Sequence, residues 1–258
     1  MNFKEKLVSS IRKRGHLCIG LDPNPELSPD VLSFLEEIID ATRDIACAYK
    51  LNLAFYEAMG LDGIKILERV RKFIPEDIPA IGDGKRGDIG VSSKRYADFL
   101  FNIMGFDAIT VSPYMGKDSL EPFFEFEDKG IFVLTRTTNK GARDFQELSF
   151  QGKPLYLLVA ERVREWNKEY RNLGVVVGAT DIESLRKVKE VCHELPFLVP
   201  GVGAQGGDLE GAVGVLKGCI FVISSSRSIL YPEGMNIEAS RSEAIKLKRR
   251  IEDVLKSF

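Results

Sequence analysis

The prediction of the fold starts from the segment Ile81-Gly82-Asp83-Gly84-Lys85-Arg86-Gly87-Asp88, in which an apolar run changes to charged residues. An apolar run reaches Asp83 and then gives way to alternating carboxylate and ammonium groups. Asp83 and Lys85 are two residues apart, so on a strand both side chains point to the same face. Charged residues at the end of a buried strand are typical of α/β barrels, whose sites form at the carboxyl ends of the strands.

The run that ends at Asp83 is one of eight similar apolar runs spread along the whole chain. Most are too apolar to alternate between a buried and an exposed face, which is typical of parallel strands covered on both sides. The predicted strands are His16–Leu21, Cys47–Leu51, Ile78–Asp83, Ala108–Ser112, Gly130–Thr135, Val175–Gly178, Phe197–Pro200 and Cys219–Ser224.

Amphipathic helical patterns separate these runs, and Phe3, Leu7 and Ile11 predict one further helix before the first strand. The alternation fits a barrel or an open doubly wound sheet. The length of 258 residues suits one barrel, although two smaller domains would also fit it. We predict a (β/α)8 TIM barrel with an extra N-terminal helix, formed by residues 1–258 as one domain. The one long irregular stretch covers residues 136–154, after the fifth strand.

Composition argues against several classes of protein. Charged residues make up 29% of the chain with a formal net charge of −2, without the basic patch typical of nucleic-acid binding. No apolar run has the length of a membrane span or of a signal peptide. Four cysteines without a C-x-x-C pair and only two histidines disfavour a zinc site. We therefore expect a cytoplasmic protein that binds neither nucleic acid nor a membrane and contains no metal.

The charged residues at the strand ends predict a catalytic centre. Lys50 ends the second strand, next to Asp83 and Lys85 on the third, and Asp88 follows in the loop. Buried charges of this kind must be paired, and a nearby carboxylate keeps a lysine protonated. An ammonium held beside a reacting carbon can stabilise a developing carbanion and then protonate it. A solvated, salt-bridged turn is the alternative explanation for such a short motif.

A glycine-rich loop follows the seventh strand, with the sequence Gly201-Val202-Gly203-Ala204-Gln205-Gly206. It matches the dinucleotide fingerprint G-x-G-x-x-G, but the acidic residue expected about 20 positions later is missing. Barrels often bind a phosphate between the loops of strands seven and eight. We therefore expect this loop to bind a phosphate, with Arg227 after the eighth strand as its charged partner.

Taken together, five segments resemble the orotidine 5'-phosphate decarboxylases, specifically the bacterial type 2 branch, over nearly the whole chain. These are Gly20-Leu21-Asp22-Pro23, Tyr49-Lys50-Leu51-Asn52-Leu53-Ala54-Phe55-Tyr56-Glu57, Asp83-Gly84-Lys85-Arg86-Gly87-Asp88-Ile89-Gly90, Pro200-Gly201-Val202-Gly203-Ala204-Gln205-Gly206-Gly207-Asp208 and Ser226-Arg227.

The resemblance implies decarboxylation of orotidine 5'-phosphate to UMP and CO2, without a metal or an organic cofactor. Lys50, Asp83, Lys85 and Asp88 would form the catalytic charged set. Lys85 would stabilise a carbanion at C6 of the pyrimidine and protonate it as CO2 leaves, with Asp83 near the departing carboxylate. The active form would be a homodimer in which Asp88 enters the site of the partner subunit.

The resemblance also implies contacts with the rest of the substrate. Asp22 and Lys50 would bind the ribose hydroxyls, Gln205 and Arg227 would hold the phosphate, and Ile89 would line the pocket.

Two departures from the family pattern concern substrate contacts. Ser92 stands where the family often has threonine, and its hydroxyl would still reach the neighbouring subunit's ribose. Residues 137–141 read Thr-Thr-Asn-Lys-Gly where the family often has T-S-N-P-G, so Thr138 keeps a hydroxyl for the pyrimidine edge.

Two other functions compete with decarboxylation. A related Mg²⁺ enzyme acting on a sugar phosphate would have a glutamate just before this motif, where Ile81 and Gly82 stand. A catalytically silent regulatory barrel would not need the complete charged set.

Overall fold

The computed structural model describes residues 1–202 and 206–257 of the chain. Eight parallel strands form a closed barrel: β1 (Leu17–Gly20), β2 (Ala48–Asn52), β3 (Ala80–Arg86), β4 (Ala108–Val111), β5 (Gly130–Arg136), β8 (Leu173–Val177), β9 (Phe197–Val199) and β10 (Phe221–Ser225). The first strand pairs with both β2 and β10, which closes the ring. The remaining two strands, β6 (Ser149–Phe150) and β7 (Lys153–Pro154), form a separate antiparallel hairpin.

Helices cover the outside of the barrel. They are α1 (Phe3–Arg14), α2 (Val31–Thr42), α3 (Leu53–Glu57), α4 (Gly60–Phe73), α5 (Gly90–Ala97), α6 (Glu121–Phe124), α7 (Leu155–Tyr170), α8 (Ile182–Cys192), α9 (Leu209–Leu216), α10 (Arg227–Leu230) and α11 (Ile237–Lys256). A π-helical segment, Asp98–Ile103, continues α5, and a 3-10 helix covers Lys140–Asp144. None of the helices in the described ranges is both long and apolar enough to cross a membrane. The predicted barrel with an additional N-terminal helix is confirmed.

A buried cluster inside the barrel takes one residue from each of the eight strands. Its members on the strands are Cys18, Ala48, Ile81, Ala108, Phe132, Val176, Leu198 and Val222. Because side chains on a strand alternate between two faces, the next inward residues are two positions further on. These are Lys50 on β2, Asp83 on β3 and Thr110 on β4, so the strand register places polar groups directly above an apolar layer.

The N-terminal helix closes the bottom of this apolar layer. Phe3 and Leu7 belong to the interior cluster, and the rings of Phe3 and Phe132 meet edge to face at 5.7 Å. A capping box fixes the start of the helix, since the Asn2 side chain accepts from the Glu5 N–H while the Glu5 carboxylate accepts from the Asn2 N–H. The apolar pattern that predicted the helix therefore serves to seal one end of the barrel.

The long stretch after β5 contains more structure than its sequence indicates. Besides the 3-10 helix it includes the β6–β7 hairpin, whose turn is made by Gln151 (φ 51°) and Gly152 (φ 80°). Two consecutive residues with positive φ match the twist of a two-residue hairpin turn. Strands of two residues are too short for their periodicity to be recognised, which explains why the sequence indicates only an irregular stretch.

Asp107 connects three elements beneath the barrel, and its removal should destabilise the fold. Its carboxylate accepts from Lys6 Nζ at 2.7 Å, Arg71 Nη2 at 3.3 Å and the Ala80 N–H at 2.8 Å. We expect Asp107→Ala to lower the free energy of unfolding by about 2–3 kcal/mol, because two largely buried cations lose their partner. Urea unfolding followed by circular dichroism measures the change.

Asp62 provides the control for this prediction, because its ion pair with Lys65 lies on the exposed face of α4. Asp62→Ala should leave the unfolding midpoint unchanged. Equal shifts in the two variants would contradict a structural role for the Asp107 network.

Candidate active site

Three neighbouring strands bring Lys50, Asp83, Lys85 and Thr110 together at the carboxyl end of the barrel. Lys50 Nζ lies 3.0 Å from Asp83 Oδ2, and Lys85 Nζ lies 2.8 Å from Asp83 Oδ1. The Thr110 hydroxyl donates to the same Oδ1 at 2.8 Å. Asp83 therefore uses both oxygens, one for each lysine, and the predicted proximity of these three charged residues agrees with the structure.

The charges of this group stabilise one another. Burial, the largest single effect, lowers the pKa of Lys50, but the carboxylates of Asp83 and Asp22 outweigh it and hold that pKa above its usual range. Burial also raises the pKa of Asp83, but the charges of Lys50 and Lys85 and the hydrogen bonds that it accepts lower it far below normal. Both groups therefore stay ionised throughout the neutral pH range.

Lys85 has an unusual backbone conformation for a lysine, with φ at 47°. The pairing of β3 with β4 is irregular between Gly82 and Arg86, and β3 extends to Arg86 instead of ending at Asp83 as predicted. The Lys85 N–H donates to the Thr110 hydroxyl at 3.0 Å. These contacts hold the Lys85 side chain, which is 47% exposed, at the open mouth of the barrel.

Asp22, after β1, borders the same group. Its Oδ1 lies 3.9 Å from Lys50 Nζ and accepts from the Asn52 N–H at 3.3 Å. Arg227 begins α10 directly after β10, the strand that pairs with β1, and its side chain is exposed. The structure therefore places Asp22 beside the lysines and Arg227 in the first turn of α10, at the same end of the barrel.

Asp88, Ile89 and Ser92 lie apart from the charged group. Within the described ranges, Asp88 makes no ion pair with the two lysines, and its Oδ1 accepts from the N–H of Ile89 at 2.8 Å. Ile89 is 62% exposed, and Ser92 is exposed in the first turn of α5. Ile89 and Ser92 therefore belong to the protein surface of a single chain, and Asp88 is half-buried next to them.

Thr138 follows β5 and packs against the end of β8, and the glycine loop is described only in part. The Thr138 methyl group packs so closely on Gly178 that a Cβ at that position would lie 2.4 Å from it. The Gly207 N–H donates to the Gly201 carbonyl at 3.0 Å, which brings the two ends of the loop together. Gln205 lies outside the described residues.

Thr110 is a member of the charged group that the sequence did not reveal. It lies inside the apolar strand β4, where a β-branched residue needs no explanation beyond strand propensity. The available signal was its position two residues after Ala108, the same spacing that separates Lys50 from Ala48 and Asp83 from Ile81.

A closed (β/α)8 barrel with a lysine–aspartate–lysine array at the carboxyl ends of its strands defines a barrel enzyme with an electrostatic active site. Residues 15–231 match the model of the orotidine 5'-phosphate decarboxylase / HUMPS family. The chain belongs to this family.

Named relatives cover almost the whole chain. An orotidine 5'-phosphate decarboxylase from Dehalococcoides mccartyi is 47% identical over 96% of this chain and 96% of its own length. That from Thermomicrobium roseum is 45% identical over 99% and 97% respectively. The structure of Leishmania donovani OMP decarboxylase superimposes with a TM-score of 0.91 at 37% identity and covers 99% of both chains. The resemblance inferred from the sequence is therefore confirmed.

Proposed function

We propose that this protein decarboxylates orotidine 5'-phosphate to UMP and CO2, the last step of de novo pyrimidine biosynthesis. The observation that carries the proposal is the Lys50–Asp83–Lys85 array at the mouth of the barrel in a chain of this family. The relatives named above, which carry the same activity in their names, support it. We assign the whole chain, residues 1–258, to one catalytic domain, and we place its reaction in the cytoplasm.

Lys85 is the proton donor of the proposed reaction. The bond between C6 and the carboxylate breaks, its electron pair remains on C6, and CO2 leaves. The Lys85 ammonium stabilises the negative charge on C6 and then gives it a proton, which completes UMP. Because this side chain is partly exposed, the resulting amine can regain a proton from solvent.

Asp83 and Lys50 keep Lys85 ready for this step. Asp83 remains ionised because Lys50, Lys85 and Thr110 all contact its carboxylate, and its Oδ1 accepts a hydrogen bond from Lys85 Nζ that fixes the position of this side chain. We assign Asp83 to the position next to the departing carboxylate. The fixed charges supply the stabilisation that an electron-withdrawing cofactor would otherwise provide, so the proposed reaction uses neither a metal nor an organic cofactor.

The remaining substrate contacts are proposed from the resemblance to the family. We assign Asp22 and Lys50 to the ribose hydroxyls, since both border the charged group. Arg227 and Gln205 are assigned to the phosphate, and Thr138 to the pyrimidine edge. Binding energy from the distant phosphate can then assist the reaction at C6.

The active form is proposed to be a homodimer in which Asp88 completes the partner's site, with Ile89 lining the pocket and Ser92 reaching the partner's ribose. Exposed apolar side chains near Asp88 support this proposal. Ile89 and Val91, which follow Asp88 in the chain, are 62% and 73% exposed, and Met115, which lies beside Gly87, is 46% exposed. Such a concentration of large apolar residues is typical of a surface that becomes covered by another chain. The proposed partners are this second copy, the substrate and the product, with neither nucleic acid nor a membrane among them.

A Mg²⁺-dependent reaction on a sugar phosphate is the nearest competing activity. Such relatives would have a metal-binding glutamate just before Asp83, where this chain has Ile81 and Gly82. A Cβ on Gly82 would lie 2.9 Å from the ring of Phe106, so a larger side chain would require this buried ring to move. This crowding, together with the lysine–aspartate–lysine array, favours the decarboxylase.

The direct test is the loss of orotidine 5'-phosphate absorbance when the purified, folded protein is added. We expect turnover that continues unchanged in EDTA, with UMP and CO2 formed in equal amounts. Turnover that disappears in EDTA and returns with Mg²⁺ would overturn the metal-free reaction. No turnover by a sample with an intact circular dichroism spectrum would overturn the proposed function itself.

A further inference from the structure

Arg136, the last residue of β5, is a buried cation outside the lysine array. Only 8% of its side chain is exposed. Its Nη1 donates to the Thr137 carbonyl at 3.0 Å, and its Nη2 donates to Glu147 Oε1 at 2.6 Å. A second carboxylate oxygen, Asp181 Oδ2, lies 3.6 Å from the same Nη2. Its Nε has no hydrogen-bond partner in the described part of the chain.

The segment that Arg136 contacts is the one that carries Thr138. Gln146 bonds to Thr137 twice, since its Oε1 accepts from the Thr137 N–H at 2.9 Å and its Nε2 donates to the Thr137 hydroxyl at 2.8 Å. The Thr137 hydroxyl in turn donates to Asn139 Oδ1 at 2.7 Å. Thr138 is therefore held from both sides by residues whose positions depend on the contacts around Arg136.

The other carboxylate, Asp181, connects Arg136 to the neighbouring strand and helix. Asp181 caps α8, accepting from the N–H of Ser184 at 3.0 Å and from its hydroxyl at 2.6 Å. The cap follows β8 after a short turn, and that turn begins at Gly178, against which Thr138 packs. Arg136 thus connects the segment after β5, which carries Thr138, with the turn after β8, against which Thr138 packs.

We propose that Arg136 is a positioning residue for substrate binding: it holds the segment of residues 137–147 so that Thr138 faces the pyrimidine. This inference rests on the proposed function, because Thr138 is assigned there to the pyrimidine edge. Arginine suits the role because its planar fork bonds several acceptors at once, whereas lysine presents a single ammonium. In the part of the chain that the structure describes, the buried Arg136 side chain contacts no group of the lysine array, so it acts through Thr138 and not on C6.

The Arg136→Lys variant tests this role by keeping the charge and removing the fork. We expect the KM for orotidine 5'-phosphate and the Kd for UMP to rise by about 10-fold or more, the effect of a lost charge-assisted hydrogen bond. The Kd for ribose 5-phosphate, which lacks the pyrimidine, should stay within about 2-fold of the wild-type value. Isothermal titration calorimetry and initial rates give these constants.

Two further variants make the test specific. Glu147→Gln removes one partner on the segment itself, and combining it with Arg136→Lys should weaken UMP binding no more than Arg136→Lys alone. Arg143→Lys is the matched control, because Arg143 lies 3.7 Å from the same carboxylate but is 78% exposed. It should leave every constant unchanged.

The outcomes separate the competing explanations. A role in folding alone would lower kcat by reducing the active fraction while leaving KM and the UMP Kd unchanged, and would overturn the proposal. Equal weakening of UMP and ribose 5-phosphate would also overturn it. If the wild-type protein neither turns over orotidine 5'-phosphate nor binds UMP, the proposed function and this role both fall. Normal wild-type behaviour with unaltered UMP affinity in Arg136→Lys overturns the role of Arg136 alone.

Discussion

Replacing Lys85 with alanine should abolish turnover of orotidine 5'-phosphate while UMP still binds. The variant loses both the charge that stabilises the C6 carbanion and the proton that quenches it. General acid catalysis and electrostatic stabilisation together account for a loss of about 10⁵-fold in kcat. Absorbance assays at high protein concentration give the residual rate, and calorimetry gives the affinity for UMP.

The fold should tolerate this substitution. Alanine at a φ of 47° is no more strained than the lysine it replaces, since the steric cost arises from Cβ. Asp83 also keeps its contacts with Lys50 and Thr110. Lys65→Ala, on the exposed face of α4, is the control and should be fully active. A Lys85→Ala rate within about 10-fold of wild type would remove Lys85 from the chemistry.

Asp88→Ala should be nearly inactive alone but should recover activity when mixed with inactive Lys85→Ala chains. If each site combines Lys85 of one chain with Asp88 of the other, every mixed dimer contains one intact site and one doubly altered site. Random exchange of equal amounts makes half of the dimers mixed, so activity should return to about a quarter of the wild-type value. Activity measured before and after subunit exchange checks this.

The matched control mixes Lys85→Ala chains with Lys50→Ala chains. Lys50 and Lys85 contact the same Asp83 within one chain, so neither partner can supply what the other lacks. This mixture should stay inactive. If the Asp88 mixture also fails after exchange has been demonstrated by mass spectrometry, a site shared across the dimer is excluded.

The barrel and the core of the site were predictable because both follow from short-range patterns. Eight apolar runs separated by helices indicate parallel strands. The two-residue spacing from Ala48 to Lys50 and from Ile81 to Asp83 places the charged side chains directly above the apolar layer inside the barrel. To predict the barrel and the position of these charges, the only long-range contact required is the pairing of neighbouring strands.

The features that the sequence did not reveal depend on geometry or on distant contacts. Thr110 is an ordinary strand residue until the register sets it against Asp83. The partners of Arg136 are 11 and 45 residues away, which no local pattern indicates. The shared role of Asp88 involves a second chain and therefore stays a prediction.

The pairing of the first strand with the last has a consequence for how the protein is made. Leu17 on β1 pairs with Ile223 on β10, so the ring cannot close until almost the entire chain has left the ribosome. Until then β1 keeps one unpaired edge, and such edges invite association between nascent chains. Because β1 must wait for β10, chains truncated before Phe221 should be targets for chaperones and proteases rather than partly active enzymes.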